Sequence, residues 1–232
     1  MHAPTIAVEP NRTASGDTQP GAGSRSSKDR FIEAAAHEFI DTGYDGCTIR
    51  AVAARAGTSV ASLSRNWTGK RHLFGDVFGH HFGIINEAQN RNLDSVATTD
   101  GAPDLVEVLH AFYRPVLSPY RSDGEGPASH HVYCKALSDP SDEAREIIRP
   151  LVADVRARMI GFARQCLPDL SEQELFLAMT VINGTYVYPQ IQGARLASVM
   201  GLEEETIDWE RASLSLARMV AGGLSTFHGA KD

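Results

Sequence analysis

The stretch TIRAVAARAGTSVASLSRNWTGK, residues 48–70, decides the fold of this chain. Thr48 and Ser59 each stand where a helix N-cap is expected, and Gly57 lies between the two helical patterns. Apolar residues recur at helical spacing after each cap, at Ile49, Val52, Ala53, Ala56, Leu63 and Trp67. The pattern therefore predicts two short helices joined by a tight turn with glycine, which is helix-turn-helix geometry.

Helical periodicity continues on both sides of this stretch. Upstream, a helix is predicted from Ser27 until Gly43 stops it, and downstream a longer helix over 70–92 follows Thr68, its predicted cap. Further helices are predicted over 103–118, 129–138, 142–167, 171–192 and 206–227. No segment alternates as a strand would, so the predicted fold class is all-α with about nine helices.

Two signals bear on helix ends in the second half of the chain. Ser171 and Glu174 have the spacing of a capping box at the start of the 171–192 helix. Pro150 lies inside the 142–167 pattern. Because proline lacks an N–H and collides with the preceding turn, we expect it to kink or split that helix.

Charge is distributed unevenly along the chain, whose formal net charge is −7. Residues 25–75 carry eight Lys and Arg against five Asp and Glu, whereas residues 76–232 carry a net charge of −9. A basic segment on an acidic body suggests that one end meets phosphate. Residues 1–26 are poor in bulky apolar side chains, so we expect a disordered arm there. A helix-turn-helix unit over 27–75 and a C-terminal helical domain over 76–232 complete the predicted organisation.

Composition argues against several classes of protein. The chain has neither an apolar run long enough to span a membrane nor the apolar segment of a secretory signal, so we expect a cytoplasmic protein. Its three cysteines, Cys47, Cys134 and Cys166, are far apart and predict no disulfide framework. Adjacent histidines such as His130 and His131 point about 100° apart on a helix, so no metal site is expected. We find no nucleophile–base pair and no phosphate loop, and expect neither an enzyme nor a cofactor.

The segment Phe31–Phe78 resembles the DNA-binding domain of the tetracycline-repressor (TetR) family of transcription regulators. Order, spacing and residue type agree across four helices. The matching elements are Gly43-Tyr44, Thr48-Ile49-Arg50, Val52-Ala53, Ala56-Gly57-Thr58-Ser59, Leu63, Trp67, Lys70 and Leu73-Phe74. The resemblance implies a repressor that binds a pseudo-palindromic, double-stranded DNA operator as a homodimer. It also implies that a small-molecule inducer fills the region corresponding to 94–232 and releases the DNA.

Side-chain chemistry at the matched positions predicts the DNA contacts. Thr48 and Lys70 are expected at phosphates, since one lies at a helix N-terminus and the other supplies a cation. Ser59 either caps its helix or contacts phosphate. Arg65 reads a base or contacts a phosphate, and the residues expected to read bases are Ser62, Arg65 and Asn66. Arg50 and Arg71 are interpreted as solvated surface charges.

The predicted recognition helix departs from the family pattern at four positions of the same DNA-binding surface, one of which is Asn66, where the family usually has His or Tyr. Val60, Ala61 and Ser64 stand where the family usually has Lys, Gly and Tyr. Val60 lacks the cation, and Ser64 is too short to reach a phosphate as the tyrosine does. The Ala61 methyl can touch a thymine methyl. Operator sequences of relatives therefore do not transfer to this chain.

A ligand pocket is expected in the C-terminal domain. Segments 137–141 and 167–174 look similar to those of a subgroup of the family, some members of which respond to fatty acids or related apolar molecules. An apolar inducer is therefore implied. Eight residues combine apolar bulk with a few polar handles, as pockets do, although each also suits plain core packing. They are Phe112, Tyr113, Tyr133, Met159, Phe162, Met179, Asn183 and Tyr186.

The dimer interface is expected on helices 171–192 and 206–227, packed as a four-helix bundle with their two-fold mates. Small residues there would allow close approach, namely Gly184, Ala217, Ala221, Gly222 and Gly223. Two other interpretations stay open. One is a ligand-independent DNA-binding protein of the same fold, whose C-terminal core would be filled. The other is an activator rather than a repressor.

Overall fold

A computed structural model describes residues 26–96, 101, 103–117, 126–203 and 206–227. Over these residues the chain forms helices and turns without any strand, which confirms the all-α class. The described residues hold nine α-helices: α1 Ser27–Gly46, α2 Ile49–Arg55, α3 Val60–Ser64, α4 Lys70–Asp94, α5 Leu105–Leu117, α6 Gly126–Ser138, α7 Asp142–Cys166, α8 Glu172–Met200 and α9 Trp209–Phe227. None of these helices combines the length and apolar character needed to cross a membrane. The predicted arm over 1–26, apart from Ser26, lies outside the described residues.

Local capping builds the predicted helix-turn-helix. The Thr48 hydroxyl accepts a hydrogen bond from the Ala51 amide at 3.1 Å, and the Ser59 hydroxyl accepts one from the Ser62 amide at 3.2 Å. Between the two helices Gly57 has φ +64°, a left-handed conformation that residues with a side chain rarely adopt. The predicted start of α2, the turn and the start of α3 are therefore confirmed.

The predicted N-cap of α4 is wrong, and so is a split of α7 at Pro150. The N-cap of α4 is Gly69 rather than Thr68, because the Thr68 amide and hydroxyl both face His72 Nδ1. Helix α7 runs through Pro150 as one continuous helix. Proline removes one backbone hydrogen bond from that helix.

Helix α8 is longer than predicted. It begins with the expected capping box, in which the Ser171 hydroxyl and the Glu174 carboxylate each accept a hydrogen bond from the other residue's amide. It then continues past Gln192 to Met200. The left-handed residue Gly201, at φ +69°, ends it by donating its amide to carbonyls of the last turn. Helix α6 likewise starts three residues before the predicted boundary, at Gly126.

A ladder of aromatic rings carries one core from the helix-turn-helix unit into the C-terminal domain. Phe39 of α1 packs edge-on against Phe78 of α4, with ring centroids 5.1 Å apart. Phe78 contacts Phe82 one turn later, and Phe82 lies 4.5 Å from Tyr133 of α6. Helix α4 thus belongs to both units and fixes their common core.

Two buried histidines lie in the C-terminal part of this core. His81 Nδ1 is 2.9 Å from the Ser129 hydroxyl, and His130 Nε2 is 2.5 Å from the Gln190 side-chain oxygen. Burial lowers the pKa of His81 and that of His130 to about 4 each, from an ordinary value of 6.5. Both imidazoles are therefore neutral in the folded protein near pH 7.

We expect the free energy of unfolding to fall as the pH drops from 6.5 toward 4, the interval between the ordinary and the folded pKa of His81. In that interval the unfolded chain binds protons that the folded protein does not. Replacing His81→Gln should remove about 3 kcal/mol of this pH-dependent loss, measured by urea unfolding at a series of pH values. The exposed neighbour His80 supplies the control, since His80→Gln removes only its charge repulsion on His81 and should retain most of the wild-type loss. A wild-type profile in His81→Gln would contradict the assignment.

Candidate nucleic-acid interface

Helix α3 is anchored on one side and open on the other. Leu63 and Trp67 are buried beneath it, each with about 1% of its surface exposed. The opposite side presents Val60, 43% exposed, together with the exposed residues Ala61, Ser64, Arg65 and Asn66. Ser59 is exposed at the helix start and Ser62 is half-buried. The structure thus brings the predicted DNA-binding residues of α3 onto one outward surface.

The indole of Trp67 holds α3 in place. Its ring packs edge-on against Phe31 of α1, with centroids 5.7 Å apart. Its Nε1 donates to Asp76 Oδ2 at 3.1 Å, and Lys28 Nζ lies 2.9 Å from the same oxygen. The hydrogen bond from Lys28, reinforced by that from Trp67, lowers the pKa of Asp76. Helices α1 and α4 therefore fix the position of a helix of only five residues.

The polar side chains of α3 make long, exposed hydrogen bonds among themselves. Arg65 Nη2 lies 3.4 Å from the Ser62 hydroxyl, and Asn66 Nδ2 lies 3.4 Å from the Ser62 carbonyl. Hydrogen bonds of this length are weak. These donors can therefore exchange their intramolecular partners for base edges or phosphates.

Ion pairing separates the basic residues of this unit into two groups. Arg55 is paired with Glu38 at 3.0 Å and Asp41 at 2.6 Å, and Arg71 and Lys28 also pair with carboxylates. Among the described residues, Arg50 and Arg65 form no ion pair, and both are exposed. Their charge is therefore available to an external anion. The sequence alone predicts a solvated surface charge for Arg50. It gives no further distinction, since only the fold shows which arginines have acidic neighbours.

Lys70 occupies a different environment from the other predicted phosphate ligand, Thr48. The Lys70 ammonium lies 4.3 Å from the centroid of the Tyr44 ring and 3.5 Å from the Asp45 carbonyl oxygen. A cation over an aromatic face is stabilised by the ring quadrupole. Lys70 is thereby held at the start of α4, while Thr48 is exposed at the start of α2.

The predicted pocket residues of the C-terminal domain lie mostly in its core. Phe112, Tyr113, Tyr133, Met159 and Tyr186 are buried. Phe162, Met179 and Asn183 are half-buried. Tyr186 brings part of the set together, since its ring lies 5.5 Å from that of Phe112 and 6.0 Å from that of Tyr113. Its hydroxyl donates to Asn183 Oδ1 at 3.2 Å. Burial raises the pKa of Tyr186 to about 12 and that of Tyr133 well above its ordinary value, so both hydroxyls stay protonated.

The same interior contains polar groups that sequence reasoning missed. Gln89 is fully buried and donates to the Phe112 carbonyl at 3.0 Å, while His81 bonds Ser129 and His130 bonds Gln190. Buried polar atoms without a hydrogen-bond partner include His81 Nε2 and Gln89 Oε1. The apolar periodicity of α4 and α6 gives no signal for them, because a polar residue on a helix is expected to face water.

An open cleft of about 520 Å³ lies elsewhere, between the first turns of α4 and the first half of α7. Its lining includes Thr68, Arg71, His72, Asp76, Glu146 and Pro150, and none of the eight predicted pocket residues. Within the described residues, no group of three His, Cys, Asp or Glu side chains is placed to hold a metal ion.

Two sequence models of one family match the chain. "Bacterial regulatory proteins, tetR family" matches residues 31–77, and "Tetracyclin repressor-like, C-terminal domain" matches residues 110–223, so that together they cover more than half of the chain. The chain belongs to the TetR family of transcription regulators. No curated protein matches it in sequence.

Solved structures of TetR-type regulators share the fold. A TetR-family transcriptional regulator from Bordetella parapertussis 12822 is 14% identical with a TM-score of 0.63, and the match covers 85% of this chain and 95% of that one. FadR from Bacillus subtilis, in complex with stearoyl-CoA, is 17% identical with a TM-score of 0.59, covering 84% and 98%. The ketosteroid regulator KstR2 of Mycobacterium tuberculosis is 16% identical with a TM-score of 0.60, covering 88% and 98%. At these identities the likeness establishes the fold.

The pairing pattern of the arginines predicts which ones contact DNA. Arg50→Ala and Arg65→Ala should each weaken binding, and removal of one phosphate interaction should reduce the slope of log affinity against log salt by about 1. Arg55→Ala is the matched control, because Arg55 is already paired with two carboxylates. The measurement is fluorescence anisotropy on labelled duplex DNA across a salt series. An equal loss of affinity in all three variants would contradict the distinction.

Proposed function

We propose that this TetR-family protein is a repressor that binds a palindromic operator as a homodimer and is released by a small, apolar ligand. The observation that carries the DNA-binding part is the outward face of α3. That face combines exposed hydrogen-bonding side chains with the unpaired charge of Arg65, and Arg50 is exposed and unpaired on the preceding helix, α2. An exposed recognition helix anchored from behind is the geometry that places side chains in the major groove.

The proposed contacts divide into those that position the protein and those that read sequence. Thr48 and Lys70 bind phosphates flanking the groove, and we add Arg50 to this group. The Ser59 hydroxyl already caps α3. Ser59 therefore contributes to DNA binding by fixing the start of that helix. Ser62, Arg65 and Asn66 read bases, and they share the groove with Val60, Ala61 and Ser64.

Helix α8 carries the surface proposed for dimerisation. Exposed apolar residues recur along it at alternating spacings of four and three residues, at Leu177, Val181, Tyr188 and Ile191, with the exposed Gly184 at the centre. This spacing is that of a seam between packed helices. Phe176, 69% exposed, and Met219 of α9, 70% exposed, widen the apolar surface. Apolar exposure of this extent in a helical protein marks an interaction site.

The small residues predicted for this interface separate into two groups. Ala217 and Ala221 are buried within the protomer, on the helix that packs against α5. Gly184, Gly222 and Gly223 are exposed, and a Cβ atom added at any of them would meet no neighbour within 4 Å. We therefore propose that only the three glycines allow close approach of a second copy.

The proposed release mechanism depends on the attachment of α7 to α4. Asn86 of α4 donates to the Leu151 carbonyl at 2.6 Å, and Arg158 of α7 binds Asn90 at 2.8 Å and Asp94 at 2.7 Å. A ligand that displaces α7 therefore also moves α4, which bears the helix-turn-helix unit. Release requires that the ligand bind the released state more tightly than the DNA-bound state.

Several observations support an apolar ligand. The interior around Phe112 and Tyr186 is aromatic, and its buried tyrosines and histidines are neutral. A neutral interior does not offer a fixed charge to a charged ligand. Two structural relatives are named as a fatty acid degradation regulator and a ketosteroid transcriptional regulator. Fatty acids and ketosteroids are both largely apolar molecules.

The alternative is a ligand-independent DNA-binding protein of the same fold. It is favoured by the burial of five of the eight predicted pocket residues. Among these, the rings of Phe112 and Tyr113 pack against that of Tyr186. The two possibilities differ in one respect, which is whether any apolar compound changes operator affinity.

We expect tight, sequence-selective binding to DNA from the region upstream of the protein's own gene, or to an operator selected from a random library. Fluorescence anisotropy should show affinity that weakens steeply with salt, since each phosphate contact releases a counterion. Titration with stearoyl-CoA, a free long-chain fatty acid and a ketosteroid should then lower the affinity with at least one of them. Binding unaffected by all three would favour the ligand-independent alternative, and a failure of selection would contradict operator binding.

A charge within the α8 seam should disrupt the dimer. Val181→Asp should convert the dimer to monomer, because the carboxylate would be buried without a partner; analytical ultracentrifugation measures the change. Val60→Asp is the matched control, since both valines are similarly exposed, at 48% and 43%. The control should remain dimeric and lose DNA affinity instead. A dimeric Val181→Asp variant would rule out this face.

A further inference from the structure

The interruption of α1 at Gly43 redirects one backbone amide. Gly43 has φ +72° and ψ 176°, outside the helical range, although the helix resumes for one more turn. The Tyr44 amide that follows does not continue the helical ladder. It donates instead to Asp139 Oδ2 at 3.0 Å, and Asp139 lies 95 positions further along the chain, between α6 and α7.

Asp139 is buried where the two units meet. Only 5% of its surface is exposed. Its second carboxylate oxygen accepts the Ser141 amide at 3.0 Å, so both oxygens have backbone donors. Hydrogen bonds to a carboxylate are stronger than those to a neutral acceptor, and removing a buried partner leaves the other group unsatisfied.

Ser141 adds a second hydrogen bond between α1 and the segment that joins α6 to α7. It occupies the N-cap position of α7, yet its side chain makes no capping hydrogen bond there. Its hydroxyl instead donates to Asp45 Oδ1 of α1 at 3.0 Å. A serine at an N-cap usually binds its own helix, so this side chain serves the contact between units in preference to its local role.

The contact also leaves little space for a side chain at Gly43. A Cβ atom built there would lie 3.1 Å from Asp139 Oδ2. Gly43 therefore meets two demands at once, a left-handed φ and close approach of the carboxylate. We call the five residues Gly43, Tyr44, Asp45, Asp139 and Ser141 the Asp139 clamp.

The Asp139 clamp connects to the helices that carry DNA-binding residues. The Tyr44 ring packs edge-on against Phe74 of α4 at 5.0 Å and lies under the Lys70 ammonium at 4.3 Å. Helix α4 alone would join the units through one rod, which leaves the helix-turn-helix unit free to tilt about it. A second attachment through α1 removes that freedom.

We infer that Asp139 is a positioning residue for DNA binding, which sets the angle of the helix-turn-helix unit on the C-terminal domain and so the separation of the two recognition helices in the dimer. The inference rests on the proposed dimeric operator binding. Loss of the Asp139 clamp leaves each α3 intact but no longer fixes the angle of the helix-turn-helix unit on the C-terminal domain. Binding to one half-site is then retained, whereas the gain from binding two half-sites at once falls, since that gain depends on geometry.

The variants are Asp139→Ala, Asp139→Asn and Ser141→Ala. Ser138→Ala is the matched control, because the Ser138 hydroxyl is exposed and bonds only carbonyls of its own helix, those of Cys134 and Lys135. Affinity is measured by anisotropy on a selected two-half-site operator and on a duplex holding one half-site. Hydrogen exchange of the peptide containing the Tyr44 amide reports the clamp without any DNA.

Asp139→Ala and Ser141→Ala should lose at least about tenfold in affinity for the two-half-site operator, with half-site affinity within twofold of wild type. Asp139→Asn, which keeps one acceptor oxygen, should lie between them and wild type. Exchange at Tyr44 should accelerate in Asp139→Ala, and Ser138→Ala should match wild type throughout.

Unchanged two-half-site affinity in both Asp139→Ala and Ser141→Ala would overturn the inference, as would an equal loss on the half-site duplex, which would mean damage to the helix-turn-helix unit itself. A wild type that binds both duplexes equally would instead refute the dimeric-operator proposal. In that case hydrogen exchange decides the clamp, and unaltered exchange at Tyr44 in Asp139→Ala overturns it.

Discussion

Burial of Trp67 is the interaction on which the DNA-binding surface depends. Helix α3 has five residues, and a helix of that length is not stable by itself in water. It exists because Trp67 and Leu63 are buried, with the Trp67 ring packed on Phe31 of α1 and its indole N–H satisfied by Asp76 of α4. The inward side of α3 is thereby fixed, and its outward side becomes a rigid set of donors and acceptors rather than a flexible loop.

Pairing, more than the number of cations, shapes the electrostatics of this surface. The helix-turn-helix unit is only modestly basic, and much of its positive charge is used internally. Arg55 joins α2 to α1, Arg71 joins α4 to α7, and Lys28 supports Asp76. Arg65 keeps its charge at the end of α3 and Arg50 keeps its charge on α2, while the remainder of the chain is acidic, a charge that disfavours contact with DNA elsewhere.

Helix α4 connects recognition to the C-terminal domain at several levels. Its first turn holds Lys70 over Tyr44, its middle contributes Phe78 and Phe82 to the aromatic ladder, and its last turns bind Arg158 of α7. The Asp139 clamp adds a connection that bypasses α4. A displacement of α6 or α7 can thus reach the DNA-binding unit by two routes, one through the axis of α4 and one through the buried Asp139 carboxylate, and the routes meet at Tyr44.

The sequence by itself determined the all-α class, the helix-turn-helix and the caps at Thr48, Ser59 and Ser171, because these signals are local. An N-cap hydroxyl bonds an amide two or three residues away, and helical periodicity is visible within a few turns. Most of the outward residues of α3 follow from the same spacing.

Only the tertiary structure decided which arginines lack acidic partners, that Pro150 stays within a helix, and that Ala217 faces inward while Gly184 faces out. It also decided that the amide after Gly43 and the carboxylate of Asp139 form one contact. Each of these outcomes depends on residues far apart in the chain that meet only after packing, and a local pattern does not contain the identity of a distant neighbour.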